Sequence, residues 1–526
     1  MSGSTNKKHH NTVEGSAHVR NGVKRLFFAL FAIALEIAVL VIVFNRFLQY
    51  APWLVGVIRV AAALIVLGIF SQNKTASLKI PWIMLIMAVP LTGVTLYLLI
   101  GLDKDTIKMR ERYEAIDSML MCMAYSNPEV KKSLRREDPA GASLATYLYR
   151  YAGAPLYQDT KVTYYSEASD GLEAQLEDMA KAEKFIFMEY HAIEDSVSFH
   201  RIEEVLVDRV NHGVEVRIFY DDIGSIGFIT TDFVKRMEAK GIRCRVFNPF
   251  APGINIFLNN RDHRKITVID GKVGFTGGYN MADEYFNVTH PYGYWKDTGI
   301  RLEGPAVQSL GSMFMEMWNA VRDNDKDDED FAKYLPAPQP QEGAKGFVQP
   351  YADSPIDDEH VGEEVYISIA EGAQKYVWYV TPYLIITDEM RHALSLAAKR
   401  GIDVRIITPG IPDKKLVYSI TRSYYNGLVS NGVRIYEYTP GFCHCKMSVS
   451  DDRLATCGTI NLDYRSLYHH FENGCVLYGN EAVLDIRRDF EEIMAASREV
   501  TDTYRYGRSA MLRLGQLLLR LAAPLL

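Results

Sequence analysis

The chain has 526 residues, too many for one ordinary domain, and its 48% hydrophobic and 23% charged content is that of a globular protein, not a disordered one. Its net charge of −7 is unevenly spread: residues 1–100 carry nine Lys or Arg against Glu14 and Glu36, a net of +7, which leaves −14 for the remainder. A body that acidic lacks the basic footprint that phosphate backbones require, so no nucleic-acid partner is expected, whereas the basic, apolar N-terminal part suits anionic membrane lipid.

In chain order, Leu26–Phe44 is apolar except for Glu36, and Ile80–Ile100 carries no charge at all. Each has the length of a helix spanning a hydrocarbon core of about 30 Å. Between them, residues 53–70 are apolar but hold Arg59 near the middle, at an insertion cost of about 2.5–3.5 kcal/mol. That run is left open as a third span or a re-entrant or interfacial segment. The first run is long for a signal-peptide core and no small-residue cleavage site follows it, so a retained anchor is expected. Lys7, Lys8, Arg20, Lys24 and Arg25 flank one end of the region, and Lys104, Lys108, Arg110 and Arg112 the other. The positive-inside rule then favours two spans, with the catalytic part on the cytoplasmic face of the cell membrane.

After this membrane region (1–100), residues 101–150 read as a polar, helical connector. Residues 151–322 show α/β patterning: Phe185–Tyr190 and Val214–Tyr220 read as strands flanking a helix at Arg201–Asn211. An acidic and Pro-rich stretch, 323–346, reads as an exposed linker. The α/β pattern returns in 347–504, where Gly401–Ile407 (GIDVRII) matches Gly213–Phe219 (GVEVRIF), 188 residues earlier. A duplicated α/β unit is the simplest account. Residues 505–526, with Arg508, Arg513 and Arg520 among leucines, read as a basic amphipathic helix packed on its own domain or lying on the membrane. The six cysteines form no CxxC pair; Cys443, Cys445, Cys457 and Cys475 are expected as reduced thiols in a core, which favours the cytoplasmic side.

The chemistry is carried by two strings. Asp262-His263-Arg264-Lys265 continues to Asp270 and to Gly277-Gly278-Tyr279-Asn280; Cys443-His444-Cys445-Lys446 continues to Asp451 and to Gly458-Thr459-Ile460-Asn461. Both read H-x-K-x4-D-x6-G-x2-N, and the histidines lie 181 residues apart, close to the repeat offset. Strand alternation puts His263 and Lys265, and likewise His444 and Lys446, on one face. A tight turn at Asp270-Gly271 folds the chain back and brings Asn280 toward that face. Imidazole, ammonium and carboxamide then converge as a cradle for an anionic tetrahedral group such as phosphate. Asp270 and Asp451 have the opposite parity, so they are expected to fix the turn and the strand end. A nucleophilic histidine still needs an acid on its other nitrogen; Asp297 and Glu472, about thirty residues downstream of each motif, are the candidates. Zinc at Cys443-His444-Cys445 is not expected, since both sulfurs oppose the imidazole and Lys446 repels a cation. His191, His469 and His470 are read as solvated or core side chains.

These residues resemble the phospholipase D superfamily, and the basic, hydrophobic N-terminus with RDHRKITVIDG and GTINLDYRS resembles its bacterial cardiolipin synthase branch. The resemblance implies an N-terminal transmembrane region followed by two α-β-α sandwich lobes with one active site between them. It also implies a phosphohistidine intermediate with no metal or other cofactor, and an acid downstream of each motif that orients its histidine. The second motif departs mildly, with Cys445 and a Ser-Asp-Asp run in place of a small residue and Ile-Asp-Gly; its His, Lys, Asp and Asn are intact. The expected reaction moves a phosphatidyl group from one phosphatidylglycerol to another, giving cardiolipin and glycerol. In it His263 is the nucleophile, His444 the acid and then the base, and Lys265, Lys446, Asn280 and Asn461 stabilise the phosphoryl charge. The alternative is transfer to water or to another alcohol. A nuclease is disfavoured by the apolar runs and the acidic body, and a non-catalytic scaffold by the completeness of both motifs.

Overall fold

The computed structural model describes residues 38, 52–72, 75–100, 107–123, 127–249, 260–321, 327, 330–357, 359–506 and 520. The run 26–44 and most of 505–526 therefore lie outside the described residues.

Helix α1 (Pro52–Ser71) occupies the middle apolar run. Where one continuous span was expected over 80–100, there are two helices, α2 (Ala76–Ala88) and α3 (Pro90–Ile100). Pro90 has no N–H to bond back into the preceding turn, and Val89 leaves helical geometry at φ −135°, ψ 78°. The chain folds back so tightly that a Cβ on Gly93 would lie 2.5 Å from the Ile86 Cα. Ala62, Ile69, Ile86 and Tyr97 form the buried seam of this three-helix unit. Arg59 interrupts α1, and the uncharged stretch beyond it, Val60–Ser71, rises only about 18 Å. Among the described residues, no helix is long and apolar enough to cross a membrane.

The connector forms α4 (Ile107–Met123), α5 (Pro128–Glu137) and α6 (Pro139–Tyr151). Asn127 and Asp138 cap α5 and α6, each followed by a proline in the first turn, where a missing N–H costs nothing.

The first lobe carries β1 (Lys161–Tyr165), β2 (Phe185–Tyr190), β3 (Glu215–Asp221), β4 (Arg243–Phe247), β5 (Arg261–Asp262), β6 (Lys265–Ile269), β7 (Val273–Gly277), β8 (Tyr294–Lys296) and β9 (Gly299–Glu303). The second carries β10 (Phe347–Asp353), β11 (Tyr376–Val380), β12 (Leu384–Ile385), β13 (Asp403–Pro409), β14 (Arg434–Tyr438), β15 (Gly441–Cys443), β16 (Met447–Ser450), β17 (Leu454–Gly458), β18 (Leu462–Asp463), β19 (His470–Tyr478) and β20 (Ser497–Glu499). The sheets run β1-β9-β7-β6-β2-β3-β4 and β10-β19-β17-β16-β11-β13-β14-β20. Strands β2, β3 and β4 are parallel, as are β11, β13 and β14; the hairpins β6–β7 and β16–β17 join them antiparallel. The duplication read from the sequence is thus a duplicated topology.

Strand alternation sorts the side chains into three cores. Phe187 of β2 and Trp378 of β11 face a shared core between the sheets, together with Phe314 and Trp318 of the buried helix Val307–Ala320 and Phe490 of the helix Glu481–Ala495. Their neighbours Met188 and Tyr379 face outward, into cores closed by each lobe's outer helices. Each such large side chain stabilises the fold by about 1.5–3 kcal/mol when fully buried. The lobes are therefore one body with a common interior.

The linker is not wholly exposed as expected. Phe331, Tyr334 and Leu335 are buried, with the Tyr334 ring edge-on to Phe185 at 5.5 Å. Asp327 meets the fully buried Arg217 at 2.5 Å. The aromatic residues give this acidic stretch apolar surface to bury, which composition alone conceals. From the C-terminal stretch, Arg520 lies 4.1 Å from the Tyr424 ring, on the second lobe.

Candidate active site

The site lies where two short strands cross from one lobe to the other. β5 pairs parallel with the start of β19 (Arg261 with His470, Asp262 with Phe471), and β8 pairs parallel with β15 (Tyr294 with Gly441, Lys296 with Cys443). A side chain on Gly441 would collide with the Tyr294 carbonyl, 2.0 Å from its Cβ, which explains glycine there. These pairings hold both motif histidines by their backbones: His263 N–H donates to the Phe471 carbonyl and His444 N–H to the Lys296 carbonyl, each at 2.8 Å.

The side chains follow the same exchange. His263 Nδ1 lies 2.9 Å from Glu472 of the second lobe, and His444 Nδ1 lies 2.7 Å from Asp297 of the first. Both acids singled out from the sequence orient a histidine, but each serves the motif of the other lobe. A proton on Nδ1, facing the carboxylate, leaves the Nε2 lone pair for chemistry. Asp297 is admitted by Gly278, where a Cβ would lie 2.1 Å from its Oδ1, and it accepts from Thr298 N at 2.9 Å. Thr459, at the equivalent position of the second lobe, donates its hydroxyl to Glu472.

Lys265 Nζ donates to the His263 carbonyl at 2.7 Å; Lys446 Nζ donates to the His444 carbonyl and sits 2.8 Å from His444 Nδ1. Both ammonium groups are about 1% exposed. Burial pulls Lys265 down to about 7 and Lys446 down to about 8, against the pull of Glu472 and Asp297. Burial likewise pushes Asp297 up to about 7. Desolvation, then the nearby lysines, holds both histidines well below their ordinary value. Burial thus favours neutral imidazoles and leaves the ammonium groups poorly solvated, so a bound anion would relieve the lysines and favour protonation.

Asn280 is buried; its Oδ1 accepts from Ala192 N at 3.2 Å and its Nδ2 donates to Tyr285 OH at 2.8 Å, with the Tyr285 ring 5.3 Å from that of His444. Asn461 is buried with its Oδ1 unpartnered. Asp270 and Asp451 do not meet the imidazoles. Asp270 accepts from the backbone of Glu183, Lys184 and Phe185, and Asp451 from Gln374, Lys375 and Tyr376. Both sit in tight turns at positive φ, 53° for Asp270 and 55° for Asp451, and clamp the starts of β2 and β11. Strand parity foretold this.

The same framework is found in known proteins. The sequence matches the family described as "Cardiolipin synthase, PLD-like domain" over residues 176–318 and 366–494, one match in each lobe. A relative named cardiolipin synthase, from Oceanobacillus iheyensis, is 31% identical over 88% of this chain and 97% of its own. The chain belongs to the cardiolipin synthase, PLD-like family. An uncharacterized protein of Streptococcus mutans is 41% identical over 87% of this chain and 98% of its own. The solved phosphatidylserine synthase of Haemophilus influenzae shares the fold at 13% identity and a TM-score of 0.57, covering 74% of this chain and all of its own.

Three features of the site escape the sequence reading. His191 and His470, read there as solvated or core residues, stand against His263, with ring centres 4.9 and 5.5 Å away. His470 shares the strand face of Glu472, two residues on, and that parity was the available signal. Asn473 accepts from Lys265 N at 3.3 Å and donates to Thr276 at 2.8 Å, tying the second lobe to the first motif. Behind His263 lies a buried charge network. Arg264 donates to Tyr113 OH of α4 and to the Met313 carbonyl, both at 3.2 Å, and Glu316 lies 4.0 Å away. Burial pushes Asp262 up to about 7 and raises Glu189 well above its usual range, with Asp262 adding to the rise of Glu189.

His263, His470 and Glu472 bring ligand atoms within 4.8 Å of one another, the spacing of a metal site. Lys265 and Lys446 both act on the same imidazole, so the donor set is better matched to an anion than to a cation. Cys443 and Cys445 lie in the shared core with Cys457 and Cys475.

Proposed function

We propose that the chain is a membrane-bound cardiolipin synthase that uses phosphatidylglycerol as both donor and acceptor through a phosphohistidine intermediate. The observation that carries the reading is the pair of cross-lobe contacts, His263–Glu472 and His444–Asp297, which make one site from two motifs. In the first half-reaction the His263 Nε2 lone pair attacks phosphorus while the bond from phosphorus to the glycerol oxygen breaks. That oxygen takes a proton from His444 Nε2. The bound phosphodiester offsets the lysine charges that depress His444, and Asp297 stabilises the imidazolium. In the second half-reaction His444 takes the proton of the acceptor hydroxyl, which attacks phosphorus, and the N–P bond breaks. Lys265 and Lys446 carry the charge of the pentacoordinate state, assisted by Asn280 and Asn461, and no metal step is required. One phosphodiester replaces another, so no nucleotide is consumed.

Attachment at the cytoplasmic face of the cell membrane belongs to this proposal, supported by the apolar N-terminal runs and their basic flanks. A site held at the bilayer gives a lipid acceptor an effective concentration that a dissolved alcohol lacks. The test is incubation of purified enzyme with labelled phosphatidylglycerol followed by lipid separation. Cardiolipin and free glycerol are expected. Phosphatidic acid as the main product at every phosphatidylglycerol density tried would make the enzyme a hydrolase.

A further inference from the structure

The two motif histidines have different surroundings. His444 is ringed by Tyr285, Trp295 and Phe442, with ring centres 5.3, 5.4 and 5.7 Å away. His263 instead faces two imidazoles, His191 and His470, themselves 6.4 Å apart. His191 donates from Nδ1 to the Asp262 carbonyl at 2.7 Å, which turns its Nε2 edge away from that bond. His470 is nine-tenths buried and neither ring nitrogen has a hydrogen-bond partner. Its nearest acid is Glu472, whose Oε1 stands 3.8 Å from Nδ1, beyond hydrogen-bond length, while Oε2 serves His263 and Thr459. A buried imidazole with both nitrogens unmet costs free energy unless a ligand completes it.

What comes to this place is constrained by charge and by access. Lys265 and Arg261 act electrostatically on His191, and Lys414 of the second lobe acts on both His191 and His444. An anion would be stabilised there, and its charge would favour the protonated, doubly donating imidazole. His191 is also the most open of the four imidazoles, with 21% of its side chain exposed against 8% for His444. His191 therefore stands at the outer edge of the site and His470 deeper, both packed against His263.

We propose that His191 and His470 form a second phosphate subsite, which holds the phosphodiester of the acceptor lipid while its terminal hydroxyl attacks at His263. The assignment rests on the transferase reading above. In the product the two phosphates are bridged by a single glycerol, so the second must bind close beside the first, and both rings pack directly against His263, at 4.9 and 5.5 Å. Neither water nor free glycerol carries an anion to this position, so the subsite selects a phosphate-bearing acceptor over both.

The test uses the full chain in mixed micelles with labelled phosphatidylglycerol and equal amounts of glycerol and sn-glycerol 3-phosphate as competing soluble acceptors. Wild type is expected to label phosphatidylglycerol phosphate at least tenfold faster than it exchanges glycerol. His470→Phe and His191→Phe, which keep a ring but remove the donors, are each expected to abolish that preference. With phosphatidylglycerol alone, the same variants are expected to lower the cardiolipin-to-phosphatidic acid ratio about tenfold. Both readouts are ratios within one sample, so a partly unfolded variant does not imitate the effect. No preference in wild type, or an unchanged ratio in both variants, overturns the subsite. If wild type transfers label to no alcohol at all, it is the transferase reading that fails.

Discussion

The two lobes share one topology, yet the positions around their histidines have diverged. At the motif offset, Arg261, Asp262 and Arg264 of the first lobe answer to Phe442, Cys443 and Cys445 of the second. In the first lobe those positions feed a buried ionic network that reaches α4; in the second, Cys443 and Cys445 join the shared apolar core and Phe442 packs into the outer core of the first lobe. Backbone geometry was retained while polarity was redistributed. The two imidazoles are therefore chemically distinct although their local folds are equivalent, and the proposed reaction, in which one histidine bonds to phosphorus and the other moves protons, needs that distinction.

The largest expected effect breaks the exchange of acids. His263→Asn and His444→Asn should each cost several orders of magnitude in turnover, because each role exists once. Glu472→Gln and Asp297→Asn should each cost about 10³–10⁴-fold, by misorienting one imidazole. Phosphoenzyme trapping sharpens the comparison: Asp297→Asn should behave like His444→Asn and accumulate the intermediate, and Glu472→Gln like His263→Asn and accumulate none. If the acids instead group with the histidine of their own lobe, the cross-lobe pairing is wrong. Two half-active histidine variants would show two independent sites.

Next in size is stability. Arg264→Met leaves Asp262, Glu189 and Glu316 without their buried cation and should cost about 3–5 kcal/mol. Cys445→Ala, at the matching position of the second lobe, removes only a small apolar group and should cost about 1 kcal/mol. Thermal unfolding of the two variants measures this directly, and equal losses would mean that the ionic network is not what distinguishes the lobes.

These contrasts also mark what the sequence made legible. The paired motif, the tight turn after each hairpin strand and the strand parity together located His263, Lys265, His444 and Lys446 and set Asp270 and Asp451 apart from them. The acids were found, but not their partners: spacing along a chain cannot say which sheet edge a strand as short as Arg261–Asp262 or Tyr294–Lys296 will join, and that choice decides the pairing. His191 and His470 were missed because each was judged alone, and their meaning lies in a meeting of three rings from distant segments. The linker was misread because Phe331 and Tyr334 are few among many acids. The break at Val89–Pro90 was hidden by hydropathy, which does not register a missing backbone donor.

A smaller effect concerns pH. In the free enzyme Asp297 and Lys265 both titrate near 7, the first raised and the second lowered by burial. Raising the pH through that value removes the proton held at the His444–Asp297 pair and the charge on Lys265, so both changes act in the same direction. Since kcat/KM reports the free enzyme, it should fall above about pH 7, by up to about tenfold per unit for each of the two groups. A kcat/KM that climbs steadily to pH 9 would contradict the assignment of His444 as the acid.

The smallest expected effect is none. Exhaustive EDTA treatment should leave activity unchanged, even though His263, His470 and Glu472 have the spacing of a metal site. The reason lies in the comparison of the lobes. If a metal did the work, it would sit on the His263 side alone, since among the described residues His444 is ringed by aromatic carbon and has only Asp297 as an acid partner. A cation there would have to break the contact between His263 Nδ1 and Glu472, and would stand beside two buried ammonium groups. In the proposed reaction those ammonium groups, one from each lobe, supply the positive charge that phosphoryl transfer needs. Loss of activity on chelation, restored by zinc or magnesium and removed again in His470→Phe, would mean that the imidazole cluster serves a cation and that the anion subsite has been assigned to the wrong charge.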